Sequence, residues 1–134
     1  MLRLINCARE AMSYAYAPYS NFKVGAAVET ANGDAIFSGC NVENASFGLT
    51  VCAERIAVFK AISSGQTQLG RLAVVTESVE LVTPCGACRQ VLLEFGVKEI
   101  IACSLSGENH VFSMDELLPY AFGPSDLEKS GEKS

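Results

Sequence analysis

Apolar side chains recur at helical spacing near the start of the chain, at Leu4, Ile5, Ala8, Met12 and Ala15, and predict a helix over Leu2 to Tyr16 that Pro18 stops. The period then changes. Phe22 to Glu29 and Ala35 to Val42 are β-prone runs joined by Ala31-Asn32-Gly33-Asp34, where Asn-Gly supplies the positive φ of a hairpin turn, so antiparallel pairing is expected. A loop over Ala45 to Thr50 leads to a second helix, Cys52 to Ile62, carried by Ala53, Ile56, Ala57 and Phe59, with Gly65 just past its end. Leu72 to Thr76 reads as a buried strand, Cys85 to Phe95 as a helix ending at Gly96, and Glu99 to Cys103 as another strand. Gly107 to Phe112 suits an edge strand, and Met114 to Leu118 a short helix before Pro119.

This order, α-β-β-α-β-α-β, predicts an α/β fold: a three-layer α/β/α sandwich around a mixed five-stranded sheet. A chain of 134 residues is long enough for one substantial core and short for two, so residues 1–124 are expected to form a single domain. The remaining residues, 125–134, are polar and charged and read as a partly disordered tail.

Charge and composition narrow the function. Ten Lys and Arg against 15 Asp and Glu give a formal charge of -5, with no basic run to hold a phosphate backbone, so no nucleic-acid partner is expected. No stretch approaches a membrane-spanning length and the start has no sustained apolar segment, so the expectation is a cytoplasmic protein with no membrane partner and reduced thiols. A hydrophobic content of 49% with mean hydropathy of +0.25 is high for such a chain. Apolar surface covered by another subunit would account for it.

The chemistry sits in Cys52-Ala53-Glu54 and Pro84-Cys85-Gly86-Ala87-Cys88. C-x-E followed by P-C-x-x-C matches the Cys₃ form of the zinc deaminase signature. Three thiolates at Cys52, Cys85 and Cys88 leave the fourth tetrahedral position of one Zn²⁺ open, which distinguishes a catalytic site from a closed structural one. Both clusters fall at predicted helix starts, whose partial positive charge favours thiolates. A lone C-x-x-C is equally a redox pair or half of a structural zinc site; neither reading uses Cys52 and Glu54. Glu54, alone a solvated helix residue, is two positions from Cys52 and can point towards the open site. Three thiolates around Zn²⁺ leave net negative charge, and Arg55 is suited to donate to their sulfurs and restore Lewis acidity, with Arg89 a weaker candidate for the same task. Cys7, Cys40 and Cys103 read as small buried hydrophobes, and His110 as an exposed strand residue.

With these motifs in place, the chain resembles the small homotetrameric cytidine deaminases of nucleoside salvage. The likeness lies in Phe22-Lys23-Val24-Gly25-Ala26, Gly39-Cys40-Asn41-Val42-Glu43-Asn44-Ala45, Cys52-Ala53-Glu54-Arg55, Pro84-Cys85-Gly86-Ala87-Cys88-Arg89-Gln90, Leu117-Leu118-Pro119 and Phe122-Gly123-Pro124. It implies a cytidine deaminase-like fold, zinc on Cys52, Cys85 and Cys88, proton shuttling by Glu54, and Arg55 on the ligand sulfurs. It also implies a nucleoside pocket: Asn41 and Glu43 on the ribose 3′-hydroxyl, the Ala53 N–H on the pyrimidine carbonyl, and Phe22 and Phe122 as aromatic walls. Independently of the family, residues two apart on a strand share a face, so Asn41 and Glu43 can converge on one sugar. Phe122 resembles a residue lent by a neighbouring subunit, which implies active sites shared within a homotetramer. Two departures stand out: Phe47 replaces a tyrosine of many relatives, and Lys23 a proline. The reaction implied is hydrolysis of cytidine and 2′-deoxycytidine to uridine and 2′-deoxyuridine plus ammonia. The alternatives are deamination of another amino-heterocycle nucleoside, of blasticidin type, and a non-catalytic zinc-stabilised interaction module.

Overall fold

Side-chain alternation along three central strands decides how the layers form. The computed structural model describes residues 1–127. In it, helix α1 (Leu2–Met12) precedes β1 (Val24–Thr30), β2 (Ile36–Cys40), α2 (Ala53–Ser63), β3 (Leu69–Thr76), α3 (Gly86–Glu94), β4 (Glu99–Cys103), β5 (Asn109–Ser113) and α4 (Met114–Leu117). The strands form one sheet in the order β2-β1-β3-β4-β5. Only the β3–β4 pair is parallel, bridged by the α3 crossover, so the sheet is mixed as expected.

Ala27 of β1, Ala73 and Val75 of β3, and Ile101 and Cys103 of β4 share one face with Leu4, Ile5 and Ala8 of α1. Their neighbours one residue along, Ala26, Val28, Leu72, Val74, Ile100 and Ala102, share the other face with Ala53, Ala57, Val58 and Ala61 of α2 and Leu92 of α3. Two-residue alternation therefore divides the core into two, and a one-residue slip of any central strand would exchange the faces. Each fully buried Leu or Ile contributes roughly 1.5–3 kcal/mol, which makes that slip costly.

Two glycines set how closely the helices approach. A Cβ on Gly25 would collide with Ala8 O and lie 2.6 Å from Met12 N of α1, while one on Gly39 would lie 2.7 Å from Ala57 N of α2. Bare backbone at these positions lets one helix lie against each face of the hairpin.

The element ends differ from the expectation for identifiable reasons. α1 stops at Met12, short of Tyr16, because the Tyr16 N–H donates to Asn41 O (2.9 Å) and Tyr16 O accepts from Glu43 N (2.8 Å). Those groups are no longer available to a helix. β1 begins at Val24 and β2 ends at Cys40, inside the expected limits, because the Asn41 side chain replaces a ladder rung. Its Oδ1 accepts from Val24 N (2.9 Å) and its Nδ2 donates to Phe22 O (2.9 Å). In the hairpin turn only Gly33 takes positive φ, at 78°; Asn32 acts through Oδ1, which accepts from Thr30 Oγ1 and Asp34 N. Cys103 is buried as expected, but Cys7 and Cys40 are only half-buried, since both border a surface cleft between α1, β2 and α2. His110 is exposed on β5. Residues 124–127 form a helical turn that takes in 125–127, the start of the expected partly disordered tail; the rest of that tail lies outside the described residues. Among the described residues, no helix is long and apolar enough to cross a membrane.

Candidate active site

Cys52 and Cys85 occupy the N-cap positions of α2 and α3, each with extended backbone and neither capping its helix through the side chain. Their sulfurs are therefore free to face one another across the two helix starts. Cys88, three residues into the motif, is buried beside them. The three Sγ atoms lie within 4.8 Å of one another, and Cys85 Sγ and Cys88 Sγ are 3.4 Å apart. Zinc–sulfur bonds of about 2.3 Å at tetrahedral angles place sulfurs about 3.8 Å apart. The donor set and its spacing fit zinc.

Arg55 Nη2 donates to Cys52 Sγ at 3.6 Å, within reach for a sulfur acceptor. Its Nε is buried without a hydrogen-bond partner, a sign that the guanidinium is held towards the sulfurs at some desolvation cost. Cys52 is held low, to about 5, first by its hydrogen bond with Cys88 and then, against the opposing effect of burial, by the Arg55 guanidinium. The same Cys88 contact and burial push the Cys88 thiol up. A cation bound by the three sulfurs would take the place of their thiol protons. Arg89 plays no such part: Nε donates to Pro84 O (2.7 Å), Nη1 to Leu117 O (2.7 Å) and Nη2 to Thr83 Oγ1 (2.8 Å), with no contact to sulfur. Its expected role on the thiolates is corrected accordingly.

Glu54 is 5% exposed and lines a cavity of about 220 Å³ with Cys52, Ala53, Cys85, Asn41 and Thr50. Burial raises its carboxyl to about 7. A divalent cation beside it would draw that value down again. Val24, Val74, Thr76, Val82 and Thr83 complete the wall. These residues carry no motif. Only the fold brings the ends of β1 and β3 and the segment before Cys85 to one place.

Glu43 lines a second cavity, about 330 Å³, with Tyr19, Ser20, Phe47 and Thr50. Asn41 and Glu43 therefore do not border one cavity; Thr50 borders both and joins them. Both lie beyond the end of β2, yet Val42 between them is bridged to Tyr16 on one side and to Val51 on the other, so the backbone stays extended there and residues two apart still share a side. Glu43 Oε1 accepts from Tyr19 N (2.9 Å) and Ser20 N (3.1 Å), and Oε2 from the Ser20 hydroxyl. The hydroxyl and then the two amides hold its carboxyl below the ordinary range. Phe47 packs edge-on against Tyr19, ring centroids 6.1 Å apart. Phe22 meets Asn41 through its carbonyl. Phe122 lines neither cavity and is 59% exposed, its carbonyl accepting from Gln90 Nε2 at 2.7 Å.

A three-layer α/β/α fold with three sulfurs at two helix starts and a buried carboxyl in the adjoining cavity defines a zinc-dependent hydrolase. A family profile described as the cytidine and deoxycytidylate deaminase zinc-binding region matches residues 2–104. The chain belongs to that family. It is 43% identical over 133 residues to a cytidine deaminase of Sporosarcina psychrophila, covering 98% of this chain and 97% of the relative. Among solved structures, the cytidine deaminase from Burkholderia pseudomallei is 49% identical with a TM-score of 0.85, covering 90% of this chain and 98% of that one. The cytidine deaminase from Mycobacterium tuberculosis is 43% identical with a TM-score of 0.78, covering 91% and 96%.

Proposed function

We propose that this protein is a cytidine deaminase, hydrolysing cytidine and 2′-deoxycytidine to uridine and 2′-deoxyuridine with release of ammonia. The observation that carries this reading is the pairing of a three-sulfur clasp with a buried carboxyl in one cavity, in a chain of this family. Bound by Cys52, Cys85 and Cys88, zinc supplies Lewis acidity that lowers the pKa of water towards ~7.

The chain's own groups do the rest. The Glu54 carboxylate takes a proton from the attacking water and delivers it to N3 of the pyrimidine as C4 becomes tetrahedral. It then carries the second proton, taken from the hydroxyl now on C4, to the amino group; the C4–N bond breaks, C4=O forms and ammonia leaves. Burial raises the proton affinity of Glu54 above that of a solvated carboxyl, opposing the pull of a nearby cation, which suits a group that must both take and give a proton. Arg55 offsets the negative charge of the thiolates. The Ala53 N–H, at the start of α2, is suited to the pyrimidine carbonyl, a developing negative charge at a helix N-terminus. Asn41 has one N–H and one lone pair beyond its two backbone bonds, and Glu43 is a fixed carboxylate; both suit the ribose 3′-hydroxyl. Phe22 and Phe122 serve as aromatic walls, with Phe122 acting in a neighbouring subunit of a cytoplasmic homotetramer. A domain over 1–124 carries the whole site.

The test is direct. Purified protein should abolish the cytidine absorbance band, with one zinc per chain measured in the same sample. The Glu54→Ala variant should remain folded and zinc-loaded while losing turnover by roughly 10²–10⁴-fold. Retention of turnover in that variant would remove the assigned role of Glu54.

A further inference from the structure

Cys85 presents a problem of support. Cys88 is buried and Cys52 is half-buried, but Cys85 is exposed, so it has the least packing of the three to hold it in place. The chain leading to it, residues 77–85, is irregular. Its first half is secured, since Ser78 O accepts from Leu105 N and the amides of Ser78 and Glu80 are taken by local hydroxyls. Among the described residues, the only hydrogen bonds to residues 81–84 come from one side chain, that of Arg89.

Arg89 holds Cys85 from both ends. Its backbone N–H donates to Cys85 O at 3.0 Å, and its Nε donates to Pro84 O at 2.7 Å. The Pro84–Cys85 peptide unit is planar, so fixing its oxygen also fixes the nitrogen of Cys85. With both flanking peptide groups held, the Cα–Cβ direction of Cys85 is set, and the sulfur is one rotamer away. The third branch of the fork, Nη2, secures Thr83 Oγ1 on the cavity wall.

The same guanidinium reaches the other way. Nη1 donates to Leu117 O at the end of α4, a carbonyl that a helix terminus leaves without an internal partner. The next residue, Gln90, donates to Phe122 O at 2.7 Å. Two consecutive side chains, directly after a metal-binding cysteine, thus hold the approach to Cys85 and the chain's C-terminal arm. A guanidinium has the fixed, divergent donors this requires; an ammonium is a single point and cannot span the three acceptors.

We propose that Arg89 and Gln90 are positioning residues forming a strap: Arg89 sets the geometry of the metal clasp by fixing Cys85, and Gln90 locks the arm that carries Phe122 to the same helix. This rests on the zinc-dependent reading above. The two halves predict different readouts. Arg89→Lys retains the charge but loses the fork, and its zinc should pass to a chromogenic chelator about 10- to 100-fold faster than from the parent protein. Gln90→Met retains the length of the side chain without its donor. It should release zinc at the parental rate while its KM for cytidine rises several-fold with kcat little changed.

If Arg89→Lys fails to fold, Thr83→Val removes a single acceptor and should accelerate zinc release to a smaller extent. A parental zinc-release rate in folded Arg89→Lys would overturn the clasp half. Parental KM in Gln90→Met would overturn the arm half. A purely structural role would lower thermal stability in both variants with neither signature, and would overturn the strap. In all these cases the parent keeps one zinc and full turnover, so they are distinct from failure of the functional reading, in which the parent itself holds no zinc.

Discussion

At the scale of single residues, the site is a problem in charge. Three thiolates on one divalent ion carry a net negative charge, and Arg55 is the cation that contacts them, at 3.6 Å from Cys52 Sγ. Replacing it by glutamine should leave the fold intact and lower kcat by about 10- to 100-fold, as for other groups that hydrogen-bond to metal ligands. Parental kinetics with Arg55→Gln would show that the sulfurs need no compensation. Glu43 presents the opposite case, a carboxylate kept ionised by Ser20 and Tyr19. Its charge beside the proposed sugar cavity should repel a 5′-phosphate. Cytidine monophosphate is therefore expected to be turned over far more slowly than cytidine, and comparable kcat/KM for the two would remove this role.

At the scale of elements, the sequence was most legible where a period or a spacing acts locally. Glu99 to Cys103 came out at its exact limits as β4, and Cys52 and Cys85 lie at helix starts as their motifs implied. The limits that shifted are those decided by distant groups: Tyr16 by its bonds to 41–43, and the ends of the hairpin by the Asn41 carboxamide. The site divides in the same way. Ligands and carboxyl follow from spacing, whereas Thr50, Val82 and Thr83 line the cavity through tertiary contact and have no local signature. Arg89 stood beside a ligand in sequence, yet its task was fixed by acceptors at 83, 84 and 117. Gly39 shows how a position without reactive chemistry can govern an element. A methyl group there would meet Ala57 N and the Ile56 side chain, both under 3.0 Å. Gly39→Ala should cost about 1–3 kcal/mol, read as a lower urea midpoint, and should disturb turnover because α2 also carries Cys52 and Glu54. Gly48→Ala meets nothing within 4 Å and should stay within about 0.5 kcal/mol of the parent. Equal midpoints for the two variants would show that α2 does not depend on this close approach.

At the scale of the whole molecule, the C-terminal arm is difficult to explain within one protomer. Phe122 is 59% exposed, and Tyr120 is fully exposed with φ of 54°, a left-handed conformation that costs a bulky residue on the order of 1 kcal/mol. Neither ring gains burial from its own chain to offset exposure or strain. Phe47 and Tyr19, at the outer cavity, are likewise exposed. A homotetramer in which each arm closes its neighbour's cavity would cover both surfaces, and it makes a prediction that a self-contained protomer does not. Phe122→Ala should raise KM about tenfold, equivalent to about 1.4 kcal/mol of binding, and Glu54→Ala should be nearly inactive. When the two variants are unfolded together and refolded as mixed assemblies, some sites combine an intact Glu54 from one chain with an intact Phe122 from the other. At subsaturating cytidine, activity should then exceed the sum of the separately refolded samples. If Phe122 serves its own protomer, no mixed site has both groups, and the activities should simply add.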